Sequence, residues 1–405
     1  MGFILGAVLF AVGLLLSIAW HECGHMWAAQ RTGMYVRRYF VGFGPTIWST
    51  RRGETEYGLK WLPLGGFCDI AGMTTYDEID PRHAHRAMYR QKAWKRLVVL
   101  AAGPAQNFVL GFVLIMVLAV GWGLPSLSGN TKVGVAEMSC ISLSADASGK
   151  LSSCTGTAPA QAAGLREGDR IVAVDGTKIA TSTDLVATIK KTSGPSAVLT
   201  IERDGREQNV TVPVTQVQRP VRSPDGTITS TTVGAIGVSL SDAGIITHYN
   251  VLSAVPGSVA FTGELLVKTV DSLLSLPQKV GALWTSVTGG ERSSDTPISV
   301  YGASVIGGQA ADRGQWPFFI YLLASINFFL GLFNLVPLLP LDGGHMALIG
   351  YEKARNAIRR RLGKVARGPV DYMKMMPATY AVLAVMGAFM VLTLSADIIN
   401  PVKVF

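Results

Sequence analysis

Four apolar runs, at 3–20, 97–124, 316–341 and 376–398, constrain this chain more than any other feature. Each is long enough to cross a hydrocarbon core of about 30 Å as a helix, one of the two structures that satisfy every backbone polar group there. The 405 residues are 49% hydrophobic and 16% charged, which argues against a wholly soluble enzyme. The first run is unlike a cleaved signal peptide. No Lys or Arg precedes it, and His21-Glu22-Cys23-Gly24-His25 follows where a small-residue cleavage site would stand, so a retained anchor is expected.

A net charge of +9 would suit a nucleic-acid binder, but its distribution points elsewhere. Arg31, Arg37, Arg38, Arg51 and Arg52 follow the first run, and Arg90, Lys92, Lys95 and Arg96 precede the second. Lys353, Arg355, Arg359, Arg360, Arg361, Lys364 and Arg367 lie between the last two. Basic segments stay in the cytoplasm, so helices 1 and 3 run inward, helices 2 and 4 run outward, and no nucleic-acid partner is implied. The lipid bilayer of the plasma membrane is the expected location. Cys140 and Cys154 then fall outside, where a disulfide is permitted, while Cys23 and Cys68 fall toward the cytoplasm as thiols.

The expected fold is a polytopic α-helical membrane protein with about four transmembrane helices, a membrane-associated β-hairpin segment and an inserted extracytoplasmic PDZ domain, α+β in class. Residues 1–30 form helix 1, and 31–96 a β-rich segment on the cytoplasmic side with strands at 35–40, 46–49 and 57–62. Helix 2 is 97–124. Residues 125–216 carry a glycine turn with Gly164-Leu165-Arg166-Glu167-Gly168-Asp169, an apolar strand, a helix at 183–191 and a hairpin of 197–203 with 208–214, an order that resembles a PDZ domain. Residues 217–315 read as a linker with a membrane-surface helix within 251–284 and a re-entrant turn. Helix 3 is 316–348, a basic cytoplasmic loop 349–375, and helix 4 376–400.

His21 and His25 are four apart, so on a helix both imidazoles point at one ion, and Glu22 places a carboxylate beside it as a general base. Such an HExxH pattern is the zinc-protease arrangement, and at the end of a lipid-buried helix it would be expensive without a function. Catalytic zinc takes three protein ligands and leaves a position open. The third candidate is Asp342, directly after the apolar run of helix 3 and at the same cytoplasmic end as the histidines. Pro337 and Pro340 interrupt the helix before it, Gly343 and Gly344 loosen the backbone after it, and His345 is a weaker alternative ligand. In helix 2, Gly103-Pro104-Ala105-Gln106-Asn107 sets the Asn107 carboxamide near the cytoplasmic end, where it could donate to an oxyanion or bond a neighbouring helix. Asn327 and Asn334 are vaguer candidates for orienting the site.

His21 to His25, Gly103 to Asn107, Leu341-Asp342-Gly343 and a PDZ domain between helices 2 and 3 together resemble the site-2 protease family, of the bacterial regulator-of-sigma type in its actinobacterial branch. The resemblance implies one catalytic Zn2+ on His21, His25 and Asp342, Glu22 as base, substrate contacts from Asn107 and from the β-rich segment, and regulated intramembrane proteolysis. Its implied partners are single-span membrane substrates such as anti-sigma factors, trimmed outside beforehand. A peptide C-terminus at the PDZ domain would be a further one. A metal transporter and a non-catalytic membrane-anchored PDZ scaffold are the rival classes. The first would show zinc flux, and the second would bind without needing His21 or His25.

Overall fold

A computed structural model of the chain describes residues 2–125, 133–142, 154, 156–222, 228–241 and 246–404, less the single positions 75, 180, 204, 291, 294 and 403. In chain order its elements begin with α1 (Gly2–Arg31), β1 (Val36–Arg52), β2 (Thr55–Ile70) and α2 (Ala93–Gly121). Next come β3 (Val133–Met138), α3 (Pro159–Ala162), β4 (Arg170–Val174), β5 (Thr177–Lys178), α4 (Ser182–Lys191), β6 (Ser196–Arg203) and β7 (Arg206–Pro213). β8 (Thr215–Arg222), β9 (Ile228–Ala235) and β10 (Val238–Ser241) follow. The chain closes with α5 (Val251–Val287), α6 (Val300–Asp312), α7 (Trp316–Asn334), α8 (Asp342–Arg361) and α9 (Met376–Ile399). Two compact units result, Met1–Leu118 with Ser258–Phe405, and Ala119–Gly257.

In the first unit α1 is the central post. Its contacts with α2 run in reverse order: His25 bonds Val99, Gly24 abuts the Ala102 carbonyl, and His21 meets Asn107. α6 also runs against it, with Gly6 on Gly308 and Phe10 on Gly307, an approach that only small residues permit. α7 runs with it, through Phe10 on Phe319 at 5.1 Å and the buried bond from Asn327 Nδ2 to Ser17 Oγ at 3.0 Å. α1 ends in a Schellman cap: Gly33 takes φ 83°, the Met34 N–H bonds the Ala29 carbonyl, and the Gly33 N–H bonds the Gln30 carbonyl. The cap turns the chain into the β1–β2 pair, which curls back on itself. Residues 36–41 pair with 66–70 on one side and 38–41 pair with 56–59 on the other, while 46–52 pair with 55–60. α9 is tied at its far end, where Asp397 pairs with the buried Arg292 at 2.7 Å.

Among the described residues, five helical stretches are long and apolar enough to cross a membrane by length and composition: α1, α2, α5, α7 and Tyr372–Ile399. The additional one relative to the sequence reading is α5, a single helix of 37 residues where mixed polarity suggested shorter pieces. Helix 3 also differs. It stops at Asn334, because Pro337 and Pro340 cannot continue it, and Asp342 opens the separate helix α8 that occupies most of the expected basic loop.

The second unit holds a sheet of order β10-β3-β4-β6-β7, with β5 on β4, and a separate β8–β9 hairpin. Leu165, Ile171, Leu185, Leu199 and Ile201 fill its core, each burial contributing about 1.5–3 kcal/mol. Thr181 and Asp184 form a capping box on α4. The sheet does not end at 216. β10, within the expected linker, completes its edge beside β3, a pairing between segments a hundred residues apart that local pattern does not reveal. Cys140 and Cys154 are joined as a disulfide with Cα atoms 5.8 Å apart.

Candidate metal centre

His21, His25 and Asp342 converge although Asp342 lies more than three hundred positions further along the chain than either histidine. His21 Nε2 lies 3.1 Å from His25 Nε2, and Asp342 Oδ2 lies 3.3 Å from each. Tetrahedral zinc with bonds near 2.0–2.1 Å sets ligand atoms about 3.3 Å apart, so this triangle is the right size for one zinc ion. Both histidines are 7% exposed.

Local structure explains each position. The helical spacing of four stacks the imidazoles on one face of α1. The loop 335–341 carries the chain from α7 to Asp342, which then sits in the first turn of α8, where the helix dipole favours a carboxylate. Gly343 and Gly344 do more than loosen this turn: a Cβ on either would strike the backbone of Leu335 or Leu338, so glycine lets α8 begin against the loop. Gly103 lines the side of the triangle. A Cβ there would stand 2.8 Å from His21 Nε2 and closer still to His25 Nε2, so its absence leaves the room an ion needs.

The ring nitrogens turned away from the triangle are both engaged. His25 Nδ1 lies 2.8 Å from the Val99 carbonyl. A carbonyl only accepts, so Nδ1 carries the proton and Nε2 keeps its lone pair for a metal. His21 Nδ1 lies 3.1 Å from the Asn107 carboxamide, whose residue is 1% exposed. Glu22 is half-buried beside the ligands, facing the 66–70 strand, where a Cβ on Gly66 would come within 3.6 Å of its Cγ and the Cys68 backbone lies in hydrogen-bonding reach. Burial pushes the Cys68 thiol well above the ordinary thiol range, which keeps it neutral next to that carboxylate.

The other candidates stand further out. His345 stacks on Tyr372 and hydrogen-bonds its hydroxyl at 3.1 Å, outside the triangle. Asn327 braces α7 against α1 one turn above His21, and Asn334 closes α7. Cys23 packs in the apolar cluster of Met26, Val36 and Ile70. The Val99 carbonyl and the Gly66 and Cys68 backbone escape sequence reasoning, because main-chain groups carry no residue-type signal.

Comparison with known proteins finds a family match and full-length relatives. A family model described as peptidase family M50 matches residues 9–378. Zinc metalloprotease Rip1 of Mycolicibacterium smegmatis is 52% identical over 409 residues, covering 100% of both chains. The protein of the same name from Mycobacterium tuberculosis strain H37Rv is 49% identical over 406 residues, again covering 100% of each. Metalloprotease MmpA of Caulobacter vibrioides is 26% identical over 381 residues, with 85% of each chain covered.

Proposed function

The chain belongs to peptidase family M50 and is a zinc metalloendopeptidase of the membrane, and from that premise we propose that it cuts single-span proteins within their transmembrane segments. The observation that carries this reading is the triangle of His21 Nε2, His25 Nε2 and Asp342 Oδ2 among apolar helices, with Glu22 beside it.

His21, His25 and Asp342 would hold the ion. When bound, zinc supplies the Lewis acidity that polarises a scissile carbonyl and acidifies water. Glu22 takes the proton of the attacking water and returns it to the leaving amine. The 66–70 strand pairs on one side only among the described residues, and its Gly66 end adjoins Glu22. A substrate helix unwound into a strand adds to this edge, which exposes its amides to attack.

The reverse run of α2 and the shared direction of α1 and α7 support the topology read from the basic segments: N-terminus outside, site toward the cytoplasm. Contacts of α5 support a lateral course. Phe261 meets Tyr321 at 6.2 Å, at the depth of Phe10 on α1. Ser286, about 37 Å further along α5, accepts from Asn400, one turn past Asp397. Asp397 contacts Gly302 beside Ala303, which packs on Phe10 and Leu14, so both points on α5 sit at similar depth. We read α5 as lying along the membrane face, which leaves four spans.

The sheet unit is read as an extracytoplasmic PDZ domain. A cavity of about 510 Å³ between α4, through Leu185 and Ile189, and the segment of Ile236 and Val238 suits an extended peptide C-terminus. Single-span anti-sigma factors shortened outside beforehand are the proposed substrates. Reconstituted with such a substrate, Glu22→Ala should keep its zinc content and lose activity by about 10²–10⁴-fold or more. Persistent turnover by the purified variant would sink the mechanism.

A further inference from the structure

We propose that Asn107 is a positioning residue that fixes the tautomer of His21, so that Nε2 rather than Nδ1 is free for the metal. The inference rests on the zinc-site reading above. As oriented, the carboxamide turns Nδ2 toward His21 Nδ1 at 3.1 Å, and its Oδ1 is buried with no hydrogen-bond partner. In that orientation an N–H donated to Nδ1 leaves the ring proton on Nε2, where it blocks coordination.

Rotating the carboxamide by half a turn exchanges its oxygen and nitrogen, which are nearly equal in size. Oδ1 then accepts from the Nδ1–H of His21, and the Nε2 lone pair faces Asp342. His21 now matches His25, whose Nδ1 is held by the Val99 carbonyl. Both imidazoles are locked through the nitrogen that the triangle does not use, one by main chain and one by a side chain on α2. The contact lies on the side of the ring away from Asp342, which separates this task from donation to an oxyanion.

The test compares Asn107→Leu, which removes the acceptor at similar volume, with Asn107→Asp, which keeps an acceptor and removes both amide donors. In full-length protein in detergent, Zn2+ affinity is measured by chelator competition and the site geometry by the Co2+ d–d spectrum. Asn107→Leu should bind Zn2+ about 10–100-fold more weakly with altered Co2+ bands, and Asn107→Asp should restore both. Wild-type affinity in Asn107→Leu overturns the proposal, as does an equal loss in Asn107→Asp. Should Asn107→Leu fail to fold, the ¹⁵N-histidine spectrum of zinc-loaded wild type decides. A protonated Nδ1 and metal-bound Nε2 on His21 support the proposal, and the reverse assignment overturns it. Wild type that binds no zinc removes the underlying site as well, an outcome distinct from the others.

Discussion

Gly103→Ala should abolish tight zinc binding while leaving the helices in place. The added Cβ stands 2.8 Å from His21 Nε2 and nearer to His25 Nε2, against an ordinary carbon contact of about 3.5–4.0 Å. At least one ring must therefore retreat by more than half an ångström, beyond the tolerance of about 0.2 Å within which a zinc bond persists. Structural zinc sites with four ligands bind with roughly 10–16 kcal/mol, or about 2.5–4 kcal/mol per ligand, so losing one weakens binding by about two to three orders of magnitude. Chelator competition on detergent-purified protein reads this directly. Gly111→Ala is the control, since its Cβ meets the Phe328 ring at 2.9 Å on the same helix but touches no ligand. It should lower thermal stability and leave zinc affinity unchanged. Wild-type zinc affinity in Gly103→Ala, or an equal loss in Gly111→Ala, would refute the reasoning.

Further outcomes concern the Asp169 ion pair and the cysteines. Asp169 is 2% exposed, and although burial alone would raise its pKa, the Arg203 guanidinium at 2.6 Å and the Arg166 N–H at 2.7 Å hold it below the usual carboxylate range. Its contribution to stability is therefore complete above the ordinary Asp range near pH 4 and is lost as pH falls through the lowered value, which acid titration followed by circular dichroism would detect. Asp169→Asn should cost about 3 kcal/mol at neutral pH and flatten that acid dependence. Cys140 and Cys154 should resist alkylation until a reductant is added, leaving Cys23 and Cys68 as the reactive thiols of the unfolded, unreduced chain. Removing the disulfide should lower stability by about 3 kcal/mol in denaturant melts, given a loop closed over 14 positions.

The convergence of His21, His25 and Asp342 was legible because each candidate ligand leaves a chemical mark in an apolar setting. His21 and His25 share a helical face, and Asp342 is the acid that follows a lipid-like run, so spacing and charge direction suffice to pair them. The β6–β7 hairpin was legible for a local reason, the two alternating stretches close together in sequence, and the register joins Arg203 to Arg206. What stayed hidden depends on distant packing. β10 joins β3 across the whole unit, and α5 runs unbroken through Pro256 and Pro277. The break between α7 and α8 was half visible in Pro337 and Pro340, but a helix start at Asp342 depends on Gly343 and Gly344 meeting the backbone of the preceding loop. The contact of Asn107 with the His21 ring stayed hidden too, because it depends on how α1 and α2 pack.

X-ray absorption at the zinc edge of the purified, full-length protein tests the central claim most directly. The account predicts two imidazole nitrogens and carboxylate oxygen at about 2.0–2.2 Å, with one oxygen scatterer lost in Asp342→Ala. A sulfur scatterer near 2.3 Å, which would implicate Cys23, or a third imidazole from His345 would contradict it.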